Sequence, residues 1–361
     1  MSLPAQNALV KTRDCPVRAA SHSTPLWLCQ PVWTWCLVSV RQFVIIGVAL
    51  AAAILGMLYA GIRPGDVALA VARVGWGIPL TIAARYGIIV LLAYASWVPL
   101  TRAGRPGFGD ATAIRAVRDA INTLLPTTQI GGDIVAVRLL VRGGLGGPMA
   151  AANVITDVFI QVVTQALFAV LGVLLLLWLG IGGTIAQNVA TGLLVAAPVL
   201  LLFFLMLRRG AGKLIVGALR RAASGAAWSA VATADAVYAA LAELRARTGP
   251  IWTSVGAHML AWVAGGAEVW IICHFLGHPV TVVEAIAIEA IGQAARGAAF
   301  AVPSAIGVQE GAFVVLCAAF GIPADAALAL SLVKRLADLA IGAPGFWFWY
   351  RLERRPSRAA A

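Results

Sequence analysis

A chain of 361 residues that is 61% hydrophobic and 12% charged, with a mean hydropathy of +0.90, has more apolar surface than one aqueous core can hide. Lipid must be its main solvent, which excludes a soluble enzyme. The formal charge of +12 would suit nucleic acid only if the basic residues shared one face. Instead many follow apolar runs, as Arg102 and Arg105, as Arg208, Arg209 and Lys213, as Arg220 and Arg221, and as Arg351, Arg354 and Arg355. That is the positive-inside pattern of cytoplasmic loops, so nucleic acid is not an expected partner.

Residues 1–42 mix Pro, Ser, Trp and scattered charge, and their apolar stretch at 26–40 is too short to span. They are read as a poorly defined N-terminal tail without a cleavable signal peptide. A run of about twenty apolar residues crosses a bilayer as a helix. Six segments qualify: 43–61; 76–100, interrupted only by Arg85; 149–179, with Asp157; 187–207; 251–273, with Glu268; and 324–350, with Asp325, Lys334, Arg335 and Asp338.

Two further regions, 111–147 and 284–321, are short apolar pieces joined at a break, and each is expected to be a re-entrant hairpin of two half-helices. The glycines at 143, 144, 146 and 147 form a flexible turn before the next span. In 210–249, the longest polar stretch, Trp228, Val231, Tyr238, Leu241 and Leu244 keep helical spacing. An amphipathic helix on the cytoplasmic face is expected there, or else a plain linker.

The expected fold is therefore an all-α polytopic membrane protein with about six full spans and two re-entrant broken-helix hairpins. Its transmembrane domain covers 43–350, in halves of about 43–180 and 187–350, and a basic tail follows over 351–361. The basic loops near 102–118, 208–247 and 351–358 fall on one side if both termini are cytoplasmic, in a bacterial inner membrane. Each half then reads span, span, hairpin, span, with opposite orientation. Many secondary transporters are built from inverted repeats of this kind.

The two breaks share a pattern. Leu125-Pro126 leads to Gly131, Gly132 and Asp133, and Val302-Pro303 leads to Gly307 and Glu310. In both, a carboxylate follows the proline by seven residues, and an arginine, Arg118 or Arg296, precedes it by seven or eight. Proline ends a half-helix and glycine lets the chain turn. The next half-helix starts with free N–H groups suited to an anionic headgroup.

Charges at membrane depth need partners or water. Helical spacing offers Lys334 with Asp338, Arg335 with Asp338, and Glu289 with Gln293, while Arg296 lies two turns after Glu289. Such charges either line a polar cavity for a headgroup or fix helix packing as internal ion pairs. Lys334 and Arg335 fit both readings equally. Asp133 and Glu310, beside the breaks, favour the cavity, and Glu284, near a membrane surface, favours packing. His274 and His278 lack a third metal ligand, and Gly277 and Pro279 end the helix between them, so no metal is expected. The five cysteines contain no CxxC pair and are read as small buried hydrophobes. No hydrolase or nucleotide-binding motif occurs, so neither catalysis nor a cofactor is expected.

The break segments Leu124-Leu125-Pro126 with Gly131-Gly132-Asp133, and Pro303 with Gly307 and Glu310, resemble the flippase-like membrane family, which includes the transmembrane part of lysylphosphatidylglycerol synthases. The last span, through Leu328-Ala329-Leu330-Ser331-Leu332-Val333-Lys334-Arg335, is similar too, and together they look most like its hopanoid-biosynthesis-associated members. The resemblance covers roughly 43–350. No aminoacyl-transferring domain follows Tyr350, so synthase activity is not carried over. Asp157 is followed by Val158 where the family often has arginine.

The resemblance implies lipid translocation or handling, with hopanoid-related lipids as cargo. Pro126, Gly131, Gly132, Asp133, Arg296, Pro303, Gly307, Glu310, Lys334 and Arg335 form the expected translocation site. Two alternatives remain open. One is an intramembrane enzyme acting on a lipid headgroup, with Glu310 or Asp157 as general base. The other is a non-catalytic scaffold for lipid-synthesising enzymes. The expected partners are membrane lipid and such enzymes.

Overall fold

A computed structural model describes residues 63–100, 104–125, 131–181, 226–299 and 307–356, and singly residues 183, 187, 191 and 305. Pro126, Pro303, the span expected at 43–61 and nearly all of the one at 187–207 lie outside the described residues. Among the described residues there are helices and turns but no strand. The helices are α1 Pro64–Val74, α2 Gly77–Trp97, α3 Phe108–Leu124, α4 Gly131–Arg142, α5 Gly147–Trp178, α6 Ala226–Ala246, α7 Thr248–Phe275, α8 Val282–Ala298, α9 Val308–Ala318 and α10 Ala324–Arg354.

Three of these, α2, α5 and α7, are long and apolar enough to cross a membrane. At 31 residues α10 is also long enough, but Lys334, Arg335 and Asp338 lower its hydropathy. It can sit in hydrocarbon only because these charges are paired. Large apolar side chains such as Val90, Leu167, Leu174, Leu260 and Leu339 face outward, as a lipid-solvated bundle requires. Trp76 and Trp178 are 80% and 74% exposed near one end, and Trp252 is 72% exposed near the other. Tryptophan at both ends is the pattern of two membrane–water interfaces.

Helix ends can be followed through the bundle. Gly77, at the start of α2, lies against the ring of Phe275, at the end of α7. Arg247, just before α7, donates to the carbonyl oxygen of Pro99, just after α2. The two helices are therefore antiparallel, with a Phe275 end and a Pro99 end. From the Pro99 end α3 runs inward, and α4 returns to it, where Arg138 and Arg142 reach Glu353 near the end of α10. From the Phe275 end α8 runs inward and α9 returns. There Leu276, Val280, Cys317 and Ile322 share one core, which also buries Cys273. The two hairpins thus begin and end at opposite ends of the bundle. Exchanging α2–α5 for α7–α10 maps each helix pairing onto its counterpart: α3 on α10 becomes α8 on α5, and α2 on α7 maps onto itself.

Two elements depart from the sequence reading. Helix α1 was not foreseen: Pro64 stands at its first position, and Val67, Ala70 and Val74 form a buried stripe at helical spacing. In the polar segment, the helix is α6, and its stripe of Tyr238, Leu241 and Leu244 packs on Met149, Ala152 and Ile155 of α5. Protein, not a membrane surface, covers that stripe. Glu284 closes a capping box with Thr281 at the start of α8, a helix cap where an ion pair between helices was expected.

Candidate functional site

Charged residues inside the bundle gather in three groups. In the first, Asp157 of α5 is 2% exposed. Arg115 of α3 reaches it at 3.2 Å, and Arg118, one turn on, also pairs with it. Arg115 also holds Asp119 at 3.0 Å, and Arg118 holds Asp133 of α4. His258 of α7 is fully buried and puts Nε2 3.4 Å from Asp157 Oδ1. The α3–α4 packing that permits this is very close. A Cβ on Gly132 would stand 2.2 Å from the carbonyl oxygen of Arg118. The Gly132 N–H donates to Asn122 Oδ1 at 2.7 Å, which ties down the exposed start of α4.

The second group centres on Lys334 of α10, 1% exposed. Its ammonium lies 2.9 Å from Glu268 of α7 and 2.8 Å from Glu289 of α8. Gln293 donates to Glu289 at 2.7 Å, as the sequence spacing suggested. Arg85 of α2 forks onto both oxygens of Glu268 and also pairs with Asp338, to which Arg296 adds a looser contact at 3.6 Å. Lys334 is thus held across helices and not by Asp338 one turn along, as its own helix had suggested.

The third group is smaller. Glu310 accepts from the Gly307 N–H at 2.7 Å and from Arg335. This carboxylate caps α9 at Gly307, whose φ of 85° suits a residue without a Cβ.

Counting along the helices relates the groups. Arg115 and Glu289 are each the eighth residue of their helices, α3 and α8. Asp157 and Lys334 are each the eleventh, of α5 and α10, and Asp133 and Glu310 are each the third, of α4 and α9. The bridge from α3 to α5 is therefore arginine to aspartate, and the matching bridge from α8 to α10 is glutamate to lysine. The geometry repeats with the charges reversed. Eleven residues at about 1.5 Å each bring both central charges about 16 Å in from the starts of their helices, at opposite ends of the bundle.

Between the first two groups lies a cavity of about 310 Å³. Its charged lining comes from both: Arg115, Arg118, Asp119 and Asp133 from one, and Arg85, Glu268, Glu289, Arg296 and Asp338 from the other. Gln161, Gln165, Asn122, Val162, Trp262 and Ile341 complete much of the wall. A space of this size fits a polar headgroup but not acyl chains.

Of the residues expected from sequence, Asp133 and Arg296 face this cavity. Lys334 sits directly behind its Glu268 and Glu289 wall. Gly131 and Gly132 open α4 beside it, with Gly132 tied to Asn122 of the wall. Gly307, Glu310 and Arg335 form the separate third group, and Pro126 and Pro303 lie outside the described residues. Sequence reasoning left Arg85, Arg115, His258 and Glu268 out of the site. Their signal was present, since Arg85 and Glu268 each stand as the one charge in an otherwise apolar span.

Residues 44–345 match the family described as the lysylphosphatidylglycerol synthase TM region. The chain belongs to this family. No curated protein and no solved structure gives a significant match. The match covers both hairpins and all three charge groups, so the lysylphosphatidylglycerol synthase TM region here includes the whole cavity. Membership makes this a membrane protein of a lipid-related family, as the two break segments and the last span had suggested.

Proposed function

We propose that this protein moves a polar lipid across the bacterial inner membrane, with the headgroup passing through the cavity while the acyl chains stay in lipid. The observation that carries this is the cavity itself, walled by both charge groups inside the bundle. In hydrocarbon so many charges are costly even when paired, and intramembrane ionisable residues that face a cavity mark a substrate path. Of the arginines described in the cavity wall, Arg296 is held most loosely, by Asp338 at 3.6 Å, and is the first contact for a headgroup phosphate.

The two hairpins then act as re-entrant broken helices in inverted repeats, the arrangement of alternating-access transporters. Arg105, Arg142, Arg245, Arg247, Arg351, Arg354 and Arg355 crowd the Pro99 end, which faces the cytoplasm by the positive-inside pattern. The resemblance of the break segments and last span supports a hopanoid-related lipid as cargo. No chemical step is assigned to any residue.

The test is transbilayer movement of labelled polar lipids, hopanoids included, in proteoliposomes. Native protein should speed movement and leave the lipid chemically intact, and Arg296→Gln should slow it at least about tenfold, the loss of one charge-assisted contact. A chemically altered lipid would make the protein an intramembrane enzyme. No movement of any lipid by well-folded protein would favour a scaffold, whose mark is co-purifying lipid-synthesising enzymes.

A further inference from the structure

The first charge group contains a pair of atoms that the lipid reading does not use. Asp157 Oδ1 and His258 Nε2 are both buried, and neither has a hydrogen-bond partner among the described residues. They face each other at 3.4 Å. On the far side of the ring, Nδ1 lies 3.0 Å from the carbonyl oxygen of Ser254, which can only accept, so Nδ1 carries a proton. An imidazole with that proton alone turns a lone pair at Nε2 toward a carboxylate oxygen. Two acceptors then face each other away from water, the arrangement that buried polar groups avoid. A second proton on Nε2 makes the contact a charge-assisted hydrogen bond.

Charge balance points the same way. The second group sets Glu268, Glu289 and Asp338 against Arg85, Lys334 and Arg296, and is neutral. The first sets Asp119, Asp133 and Asp157 against Arg115 and Arg118, one negative charge in excess. Protonated His258 cancels it. Among the described residues, Arg138 and Arg142 of α4 pair with Glu353 of α10. On α2, α8 and α10, Arg85, Glu289, Lys334 and Asp338 belong to the second group, and on α6 Asp235, Glu243 and Arg245 are exposed, as are Asp66 and Arg73 on α1. A second cavity of about 30 Å³, room for a single water, reaches Asp157 from Trp97 and Pro106 at the Pro99 end. Arg115 and Arg118 line both cavities, so this group is the partition between them.

We propose that His258, paired with Asp157, binds a proton together with an anionic headgroup, so that headgroup binding is coupled to proton binding. The proton comes from water in the smaller cavity, which Asp157 lines, and goes back to it when the headgroup leaves. While His258 is charged, Asp157 is shared with the imidazolium and draws less on Arg115 and Arg118, which then offer more positive field to an anionic headgroup. When the proton leaves, the group regains its excess negative charge and disfavours the anion. Proton and headgroup therefore bind cooperatively, and by linkage each strengthens the other to the same degree. The coupling rests on the lipid reading above, but the proton site does not.

Two measurements on the full chain in nanodiscs test it. With histidine labelled by ¹⁵N, the His258 signal is identified among the four histidines by its loss in His258→Gln. Both of its ring nitrogens should be protonated at the acid end of a pH range, and one proton should leave toward its alkaline end. A single ring proton throughout overturns the proton site. If His258→Gln does not fold, His258→Asn serves for the assignment.

The second measurement is binding of dihexanoyl phosphatidylglycerol. It should tighten at least about fivefold as pH falls over that range, with proton uptake on binding, and the zwitterionic dihexanoyl phosphatidylcholine should show no such dependence. In His258→Gln the dependence should vanish, because the amide can donate to Asp157 but cannot change charge. Binding that ignores pH in the native protein overturns the coupling. If phosphatidylglycerol fails to bind at any pH, the anionic-headgroup reading fails, and the ring signals still decide the proton site.

Discussion

Lys334 shows how narrowly charge is tolerated in this bundle. Its ammonium answers two buried carboxylates at once, and a buried pair that loses one partner costs about 3–5 kcal/mol because the other charge is stranded. Lys334→Met should therefore lower stability by that amount in thermal unfolding in detergent. Glu268 keeps the fork from Arg85, so the stranded charge is chiefly Glu289. Adding Glu289→Gln should recover more than half of the loss, and a double variant as weak as the single would show that Lys334 acts otherwise. Sequence spacing had offered Asp338 as the partner, four residues along. A helix reveals from its own sequence only which side chains can meet on its own face. The real partners lie 66 and 45 positions away, a distance that apolar patterning does not encode. Glu289 with Gln293 was legible because both stand on one helix.

At the scale of elements, proline marks a second kind of debt. Pro344 lies inside α10 and has no N–H to donate to the carbonyl of Ala340, one turn back. The hydroxyl of Tyr86 on α2 donates to that oxygen at 3.1 Å, which satisfies the freed group across the helix interface. Tyr86→Phe should cost about 0.5–2 kcal/mol, the range for interhelical hydrogen bonds in membranes. With Pro344→Ala, whose N–H restores the helical bond, the same substitution should cost almost nothing. Unfolding free energies of the two single variants and the double would check this, and equal costs in both backgrounds would reject it. Gly132 makes a steric prediction. In Gly132→Ala the new methyl cannot fit 2.2 Å from the Arg118 carbonyl, so α3 and α4 must part. About 1–3 kcal/mol should be lost, as for other overpacked contacts, and the grip of Arg118 on Asp133 should weaken with it. The spans around these contacts were legible because hydrophobic length reports a lipid-solvated helix directly. The α6 stripe was legible as a helix face, but amphipathic spacing does not say whether lipid or another helix covers it.

For the molecule as a whole, the reversed charges decide how the repeat is to be understood. If the halves had matching charges, two like-signed centres would be buried in one bundle, with repulsion added to the cost of burial. With Asp157 in one half and Lys334 at the same register in the other, geometry is conserved while charge is complementary. The cavity wall then contains both signs, and the second group closes neutral within itself. That arrangement requires the two halves to meet face to face, which is what antiparallel α2 and α7 provide. A membrane orientation follows. Gly107 precedes α3 at the Pro99 end, and Pro279 lies before α8 at the Phe275 end. In a cysteine-free background, Gly107→Cys should be shielded from a membrane-impermeant maleimide added outside intact spheroplasts, and Pro279→Cys should be labelled. Gly107 has open space around it and Pro279 is exposed, so both sites accept the change without repacking. Labelling of both from the outside, or of neither before lysis, would place the two loops on one face, and the inverted arrangement would have to be abandoned. Labelling of Gly107→Cys alone would keep the inversion and reverse the orientation assigned from the basic loops.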